Sequence, residues 1–228
     1  MKWLSDCWRS SIGGKLTMAV TGLLLFLFLI AHLLGNLQLL AGPDAINDYA
    51  HFLKGKPALV WSARLGLLVV FLLHVVTGIR LARENKVARP VPYARPDTIQ
   101  ASWASRSMVL TGLSTLVFVV YHLLHFTVGV TNPGLFDQHT ATGHHDVYAM
   151  VTDSFAVPGI ALAYIAFQVV LFFHLSHGVQ SLAQTLGIHH ERYTPMIKTA
   201  SIVLAVLITG GNIFLVLSVL TGMTGGQA

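Results

Sequence analysis

A single cysteine, Cys7, stands before the first apolar run, so neither a disulfide framework nor a thiolate metal cluster can be built from this chain alone. Charge is also scarce. Only 10% of the 228 residues are charged while 54% are hydrophobic, and the mean hydropathy of +0.67 leaves too little polar surface to cover a soluble globule. The nine acids, Asp6, Asp44, Asp48, Glu84, Asp97, Asp137, Asp146, Asp153 and Glu191, lie at the ends of apolar runs or between them. No carboxylate therefore sits where it could carry ions or protons through the apolar interior, which argues against that kind of transporter. The formal charge of +5 points to no nucleic-acid partner, because in an apolar chain of this kind the placement of the cations matters more than their sum.

What the chain does have is long apolar runs. Stretches able to cross about 30 Å of hydrocarbon at about 1.5 Å per residue fall at 16–40, 62–84, 107–130, 157–186 and 199–222. Runs of that length are helices, since lipid leaves only helices or closed barrels as ways to satisfy the backbone. The expectation is an all-α integral membrane bundle of five transmembrane helices, a single domain over 1–228 in contact with lipid. The first run is too long for a signal peptide, lacks a small-residue cleavage pattern and carries a histidine in its outer half. Eleven of the fourteen Lys and Arg residues fall in 1–15, 80–106 and 187–198, against Lys54, Lys56 and Arg64 in the alternate segments. The positive-inside rule then places the N-terminus in the cytoplasm and the C-terminus outside. The connection 85–105, with Pro90, Pro92 and Pro96, reads either as an extended basic loop facing a cytoplasmic partner or as a topogenic charge cluster alone.

An internal repeat singles out four histidines. Residues 21–34, TGLLLFLFLIAHLL, align without gaps to 111–124, TGLSTLVFVVYHLL, with seven of fourteen positions identical, which makes His32 and His122 equivalent. A weaker match, VVFLLHVVTG at 69–78 with VVLFFHLSHG at 169–178, pairs His74 with His174 and Gly78 with Gly178. His125 stands opposite Gly35, and His177 opposite Thr77, so neither shares in the repeat. Depth sorts the four the same way: His32 and His122 lie about 21–24 Å from the cytoplasmic ends of their spans, and His74 and His174 lie nearer those ends. Two imidazoles on different helices at each of two levels suit the axial positions of a planar macrocycle, and glycines one turn beyond His74 and His174 leave room for it. A histidine that only hydrogen-bonds across a helix interface is the plainer reading of any one taken singly; four at membrane depth point to function. Any haem would be non-covalent, because no C-x-x-C-H signature is present, and bis-imidazole iron has no open position, which favours electron transfer over oxygen chemistry.

The stretches FLIAHLLGN, NDYAHFLKGKP at 47–57, SWASRSMVLTG at 102–112, HDVYAMV at 145–151 and FHLSHGVQSLAQTLG at 173–187 together resemble the diheme, five-helix cytochrome b subunit of succinate dehydrogenase and fumarate reductase. The resemblance covers nearly the whole chain. It implies two b-type haems, with His32 and His122 ligating the outer iron and His74 and His174 the inner one. It further implies a flavoprotein subunit and an iron–sulfur subunit as partners, a quinone as the redox substrate (menaquinone by the two-haem resemblance), and the cytoplasmic membrane of a prokaryote as location. The chain itself would carry no dicarboxylate site. Lys15 and Arg106 are candidates for contact with the inner haem propionates or else topogenic charges, and Trp103 is a candidate donor at the same level or else an aromatic anchor. For quinone the candidates are Asn47, Asp48, Tyr49 and His51, which read equally as a loop packed over the haem edge. His139, His144, His145 and Asp146 form a second outer cluster, either a metal site or solvated loop residues. Some fumarate-reducing relatives place a glutamate two residues before the fourth-helix ligand; here that position is Phe172, so that proton path is not carried over. Two other classes stay open: the cytochrome b anchor of another dehydrogenase, such as a hydrogenase or formate dehydrogenase, and a non-redox transporter or anchor whose histidines only pack.

Overall fold

A computed structural model describes residues 10–88, 91 and 101–224. Cys7 and the prolines of the connection 85–105, Pro90, Pro92 and Pro96, lie outside the described residues. The helices in chain order are α1 (Ser11–Asn36), α2 (Pro43–Lys54), α3 (Pro57–Ala88), α4 (Trp103–Arg106), α5 (Met108–Leu123), α6 (Pro133–Phe136), α7 (Val147–Ala156), α8 (Pro158–Thr185) and α9 (Thr194–Leu220). A 3₁₀ turn, Leu37–Ala41, prolongs α1, and a π turn, Leu124–Val128, prolongs α5. Five of these units are long and apolar enough to cross a membrane: Ser11–Ala41, Pro57–Ala88, Met108–Val128, Pro158–Thr185 and Thr194–Leu220. No β-strand occurs among the described residues.

The five spans match those expected, but most begin or end further out. Hydropathy marks where a helix leaves hydrocarbon, whereas the helix stops only where the backbone is capped or broken. Ser10 caps α1 by accepting a hydrogen bond from the Gly13 amide at 3.0 Å. Prolines open α3 and α8, where their missing N–H costs nothing. Gly129, at φ 79°, ends the π turn in the left-handed region that glycine adopts without strain.

The connections after the first and third spans are more ordered than loops. The segment 47–57, expected as a loop, lies largely within α2, and 131–156 contains the single turn α6 and the longer α7. Pro43 starts α2 with Asp44 in its first turn, and the Asp146 carboxylate caps α7 by accepting from the Ala149 amide at 3.0 Å. Both helices are too short to span, so a search for long apolar runs passes over them.

α8 is the hub of the bundle, packed against α1, α5 and α9, while α3 lies mainly on α1. The larger buried cluster lies around Leu39, Ile46, Phe118, Phe155 and Tyr164, and a smaller one joins α8 to α9 through Leu171, Leu175, Ala205 and Ile208. Small residues let α9 approach closely: a Cβ on Gly211 would meet Leu33 of α1 at 2.9 Å. Away from these contacts the surface is apolar, with Leu65, Leu68, Val69, Leu72 and Val76 of α3 all exposed. A strip of that kind is suited to lipid rather than to water.

Candidate functional site

The two repeat-related pairs of histidines meet in space. His32 of α1 faces His122 of α5 with ring centroids 5.8 Å apart and planes at 89°. His74 of α3 faces His174 of α8 at 6.4 Å and 74°. Each pair therefore joins two helices, and the pairs occupy two levels of the bundle. All four rings are half-buried.

The identities in the repeat surround these rings. Thr21 Oγ1 lies 3.1 Å from His74 Nδ1, and its repeat counterpart Thr111 Oγ1 lies 3.4 Å from His174 Nδ1. The following glycines let the imidazole edges lie against the backbone of the neighbouring helix. A Cβ on Gly22 would come to 3.4 Å from His74 Cε1, and one on Gly112 to 3.3 Å from His174 Cε1. Higher up, Phe28 stacks on His32 at 5.4 Å, and its counterpart Phe118 packs on His122 at 5.8 Å. The glycines one turn beyond the inner histidines differ from one another. Gly78 contacts Met18 of α1, whereas Gly178 has open space where a Cβ would stand.

His125, one turn beyond His122, is not brought against His32; it is buried in the π turn with Nδ1 2.9 Å from the Tyr164 hydroxyl. The same hydroxyl lies 3.5 Å from His122 Nδ1, at the long edge of hydrogen bonding. Single π turns are frequent at functional positions, and this one sets His125 into the core while His122 keeps the repeat position. Nothing in the sequence marked Tyr164, because its hydroxyl reaches these rings from α8 across some forty positions.

At the end of the bundle nearer His74 and His174, Trp103 packs edge-on against Phe173 at 4.8 Å, beside His174 in the chain, while Lys15 and Arg106 are exposed. Arg80 joins them, unmarked by the sequence reading. Its guanidinium pairs with Glu84 at 3.3 Å and packs on Gly14, where a Cβ would collide with it.

This chain is 30% identical over 166 residues, 71% of its own length and 73% of the relative's, to the succinate dehydrogenase cytochrome b558 subunit of Bacillus subtilis (strain 168). It belongs to that family. Neither a protein-family model nor a solved structure matches it. The relationship makes the chain a succinate dehydrogenase cytochrome b-type membrane subunit, and five apolar helices agree with a multi-pass membrane protein.

At the end of this cytochrome b-type subunit nearer His32 and His122, the two polar clusters read separately from the sequence come together. A cavity of about 300 Å³ is lined by Asn47, His51, Lys54, His139, His144 and His145, among others. His51 and His144 have ring centroids 4.3 Å apart. Burial, reinforced by the Lys54 and His139 charges and partly offset by Asp137 and Asp146, lowers the His145 pKa from its ordinary value. Among the described residues no group of three or more His, Cys, Asp or Glu side chains has the geometry to hold a metal ion. Asn47 is largely committed to structure: its amide donates to Asp146 Oδ1 at 3.0 Å and accepts from the Tyr148 amide at 3.1 Å, fastening α2 to α7. Tyr49 packs over Gly35, one turn beyond His32, and Asp48 and His51 are exposed.

Proposed function

We propose that this chain is the electron-transfer and quinone-reacting membrane subunit of a succinate:quinone oxidoreductase, holding two b-type haems between His32 and His122 and between His74 and His174. The observation that carries the proposal is the meeting of those imidazoles in two pairs at two levels. Two imidazoles sharing one metal at bonds of about 2 Å would have ring centres roughly 6 Å apart. The separations of 5.8 and 6.4 Å lie on either side of that value, so the donor set fits a bis-histidine iron at each level. When bound, the haems supply one-electron redox chemistry between the iron–sulfur subunit and quinone. The protein supplies ligation by four imidazoles, a dry apolar surround and donors at both ends.

The single domain spans 1–228, with the N-terminus and the more basic side cytoplasmic and the C-terminus outside, in the cytoplasmic membrane of a prokaryote. The distribution of Lys and Arg supports that orientation. A flavoprotein subunit and an iron–sulfur subunit dock on the cytoplasmic side, where Lys15, Arg80, Trp103 and Arg106 are placed to meet the inner haem propionates. Quinone, menaquinone by the family resemblance, binds at the outer end. His51 in the histidine-lined cavity and Tyr49 beside Gly35 offer groups that donate hydrogen bonds and exchange protons, and Asp48 is exposed beside them; Asn47 holds the walls together. The family relationship favours this reading over an anchor for a different dehydrogenase.

The test is purification from native membranes. The chain is expected to co-elute with one flavin-containing and one iron–sulfur polypeptide, and the complex to reduce a menaquinone analogue with succinate. Isolation without those partners, from membranes never exposed to harsh detergent, would reject the assignment.

A further inference from the structure

Four of the seven identities in the repeat lie on or beside the paired rings, and one of them, Thr21 with its counterpart Thr111, serves the level at which the two helices that carry it contribute no ligand. We infer that Thr21 and Thr111 are matched positioning residues that fix the tautomer and orientation of His74 and His174, leaving Nε2 of each ring as the iron-binding nitrogen. This rests on the haem reading above and deepens it.

The destination of each hydroxyl proton fixes the tautomer. Thr21 Oγ1 is 2.6 Å from the carbonyl oxygen of Thr17, its own i−4 residue, and a carbonyl can only accept. Having donated its one proton there, the hydroxyl meets His74 Nδ1 at 3.1 Å with lone pairs alone. The Nδ1–H must donate, so Nε2 is the bare nitrogen. Thr111 repeats the arrangement, with the carbonyls of Ser107 at 3.1 Å and Met108 at 3.3 Å taking its proton and His174 Nδ1 at 3.4 Å donating to it. Gly22 and Gly112 complete the seat, since a side chain at either position would press on the imidazole Cε1. Metal-bound histidines commonly donate their second nitrogen to an oxygen in this way, which raises ligand basicity and restricts ring rotation. The first and third spans thus each provide one outer ligand and one inner acceptor, three helical turns apart.

Thr21→Val and Thr111→Val keep β-branching and volume but lose the acceptor; Thr21→Ser and Thr111→Ser retain it. In the whole complex, the valine variants are expected to raise the midpoint potential of the inner haem alone. They should also weaken its retention by on the order of tenfold, and alter its low-spin electron paramagnetic resonance signal. The serine variants should restore all three. The outer haem is the internal control for folding. If the valine variants leave the inner haem unchanged, or if both haems shift together, the positioning role is wrong. An unsubstituted complex with no haem at all would instead reject the haem reading itself. Should the valine proteins fail to accumulate, deuterium pulsed resonance on the unsubstituted complex reads the same contact. A quadrupole coupling lowered by hydrogen bonding at exchangeable Nδ1 positions of the inner ligands is expected, and the value of an unbonded N–D would overturn the inference.

Discussion

His74→Ala or His174→Ala is expected to remove the inner haem and spare the outer one. The two imidazoles face each other at 6.4 Å from different helices, so deleting either leaves a six-coordinate site one ligand short. Ligand loss exceeds the loss of a hydrogen-bonded neighbour, which itself costs about 10–100-fold, so succinate-driven quinone reduction should fall by on the order of 100-fold or more. Electron delivery from succinate to a soluble dye that accepts directly from the partner subunits should persist, because this chain is proposed to have no dicarboxylate site. Spectral titration of each variant checks the first expectation, and paired quinone and dye assays check the second. Retention of both haems in either variant would refute the inner pairing.

The second large effect separates neighbours. His32→Ala or His122→Ala should abolish the outer haem, whereas His125→Ala should keep it, although His125 is the more deeply buried ring on the same helix extension. His125 is hydrogen-bonded to Tyr164 and its ring packs on Tyr121, Phe126 and Tyr164 rather than facing a second histidine, so truncation removes a packed core group rather than a ligand. Its cost should appear as lower thermal stability, about 1–3 kcal/mol from leaving the Tyr164 hydroxyl without its main partner. Loss of the outer haem in His125→Ala with retention in His122→Ala would reverse the assignment.

The spans were legible because hydrocarbon imposes one length and one composition on anything crossing it, and composition survives in sequence. The histidine pairs were legible because a duplicated unit repeats them, which converts a three-dimensional relation into an alignment. Thr21 and Thr111 were visible as identities in that alignment, yet their role was not, since it depends on how α1 turns toward α3 and α5 toward α8. The joining of His51 with His144 and His145 spans almost a hundred residues and follows from Asn47 fastening α2 to α7, a contact that no local pattern announces. The same holds for Arg80, whose approach to Gly14 reflects helix packing alone. The short outer helices escaped notice for a different reason: 12 and 10 residues are too few to register in a search scaled to a bilayer.

The most direct test of the account is the haem content of the purified, unsubstituted complex, read by the pyridine haemochrome spectrum per mole of this chain. Two non-covalent b haems, reduced in two separable steps, are the expected result. A folded chain carrying one haem or none, or density showing no macrocycle between His32 and His122 or between His74 and His174, would contradict it.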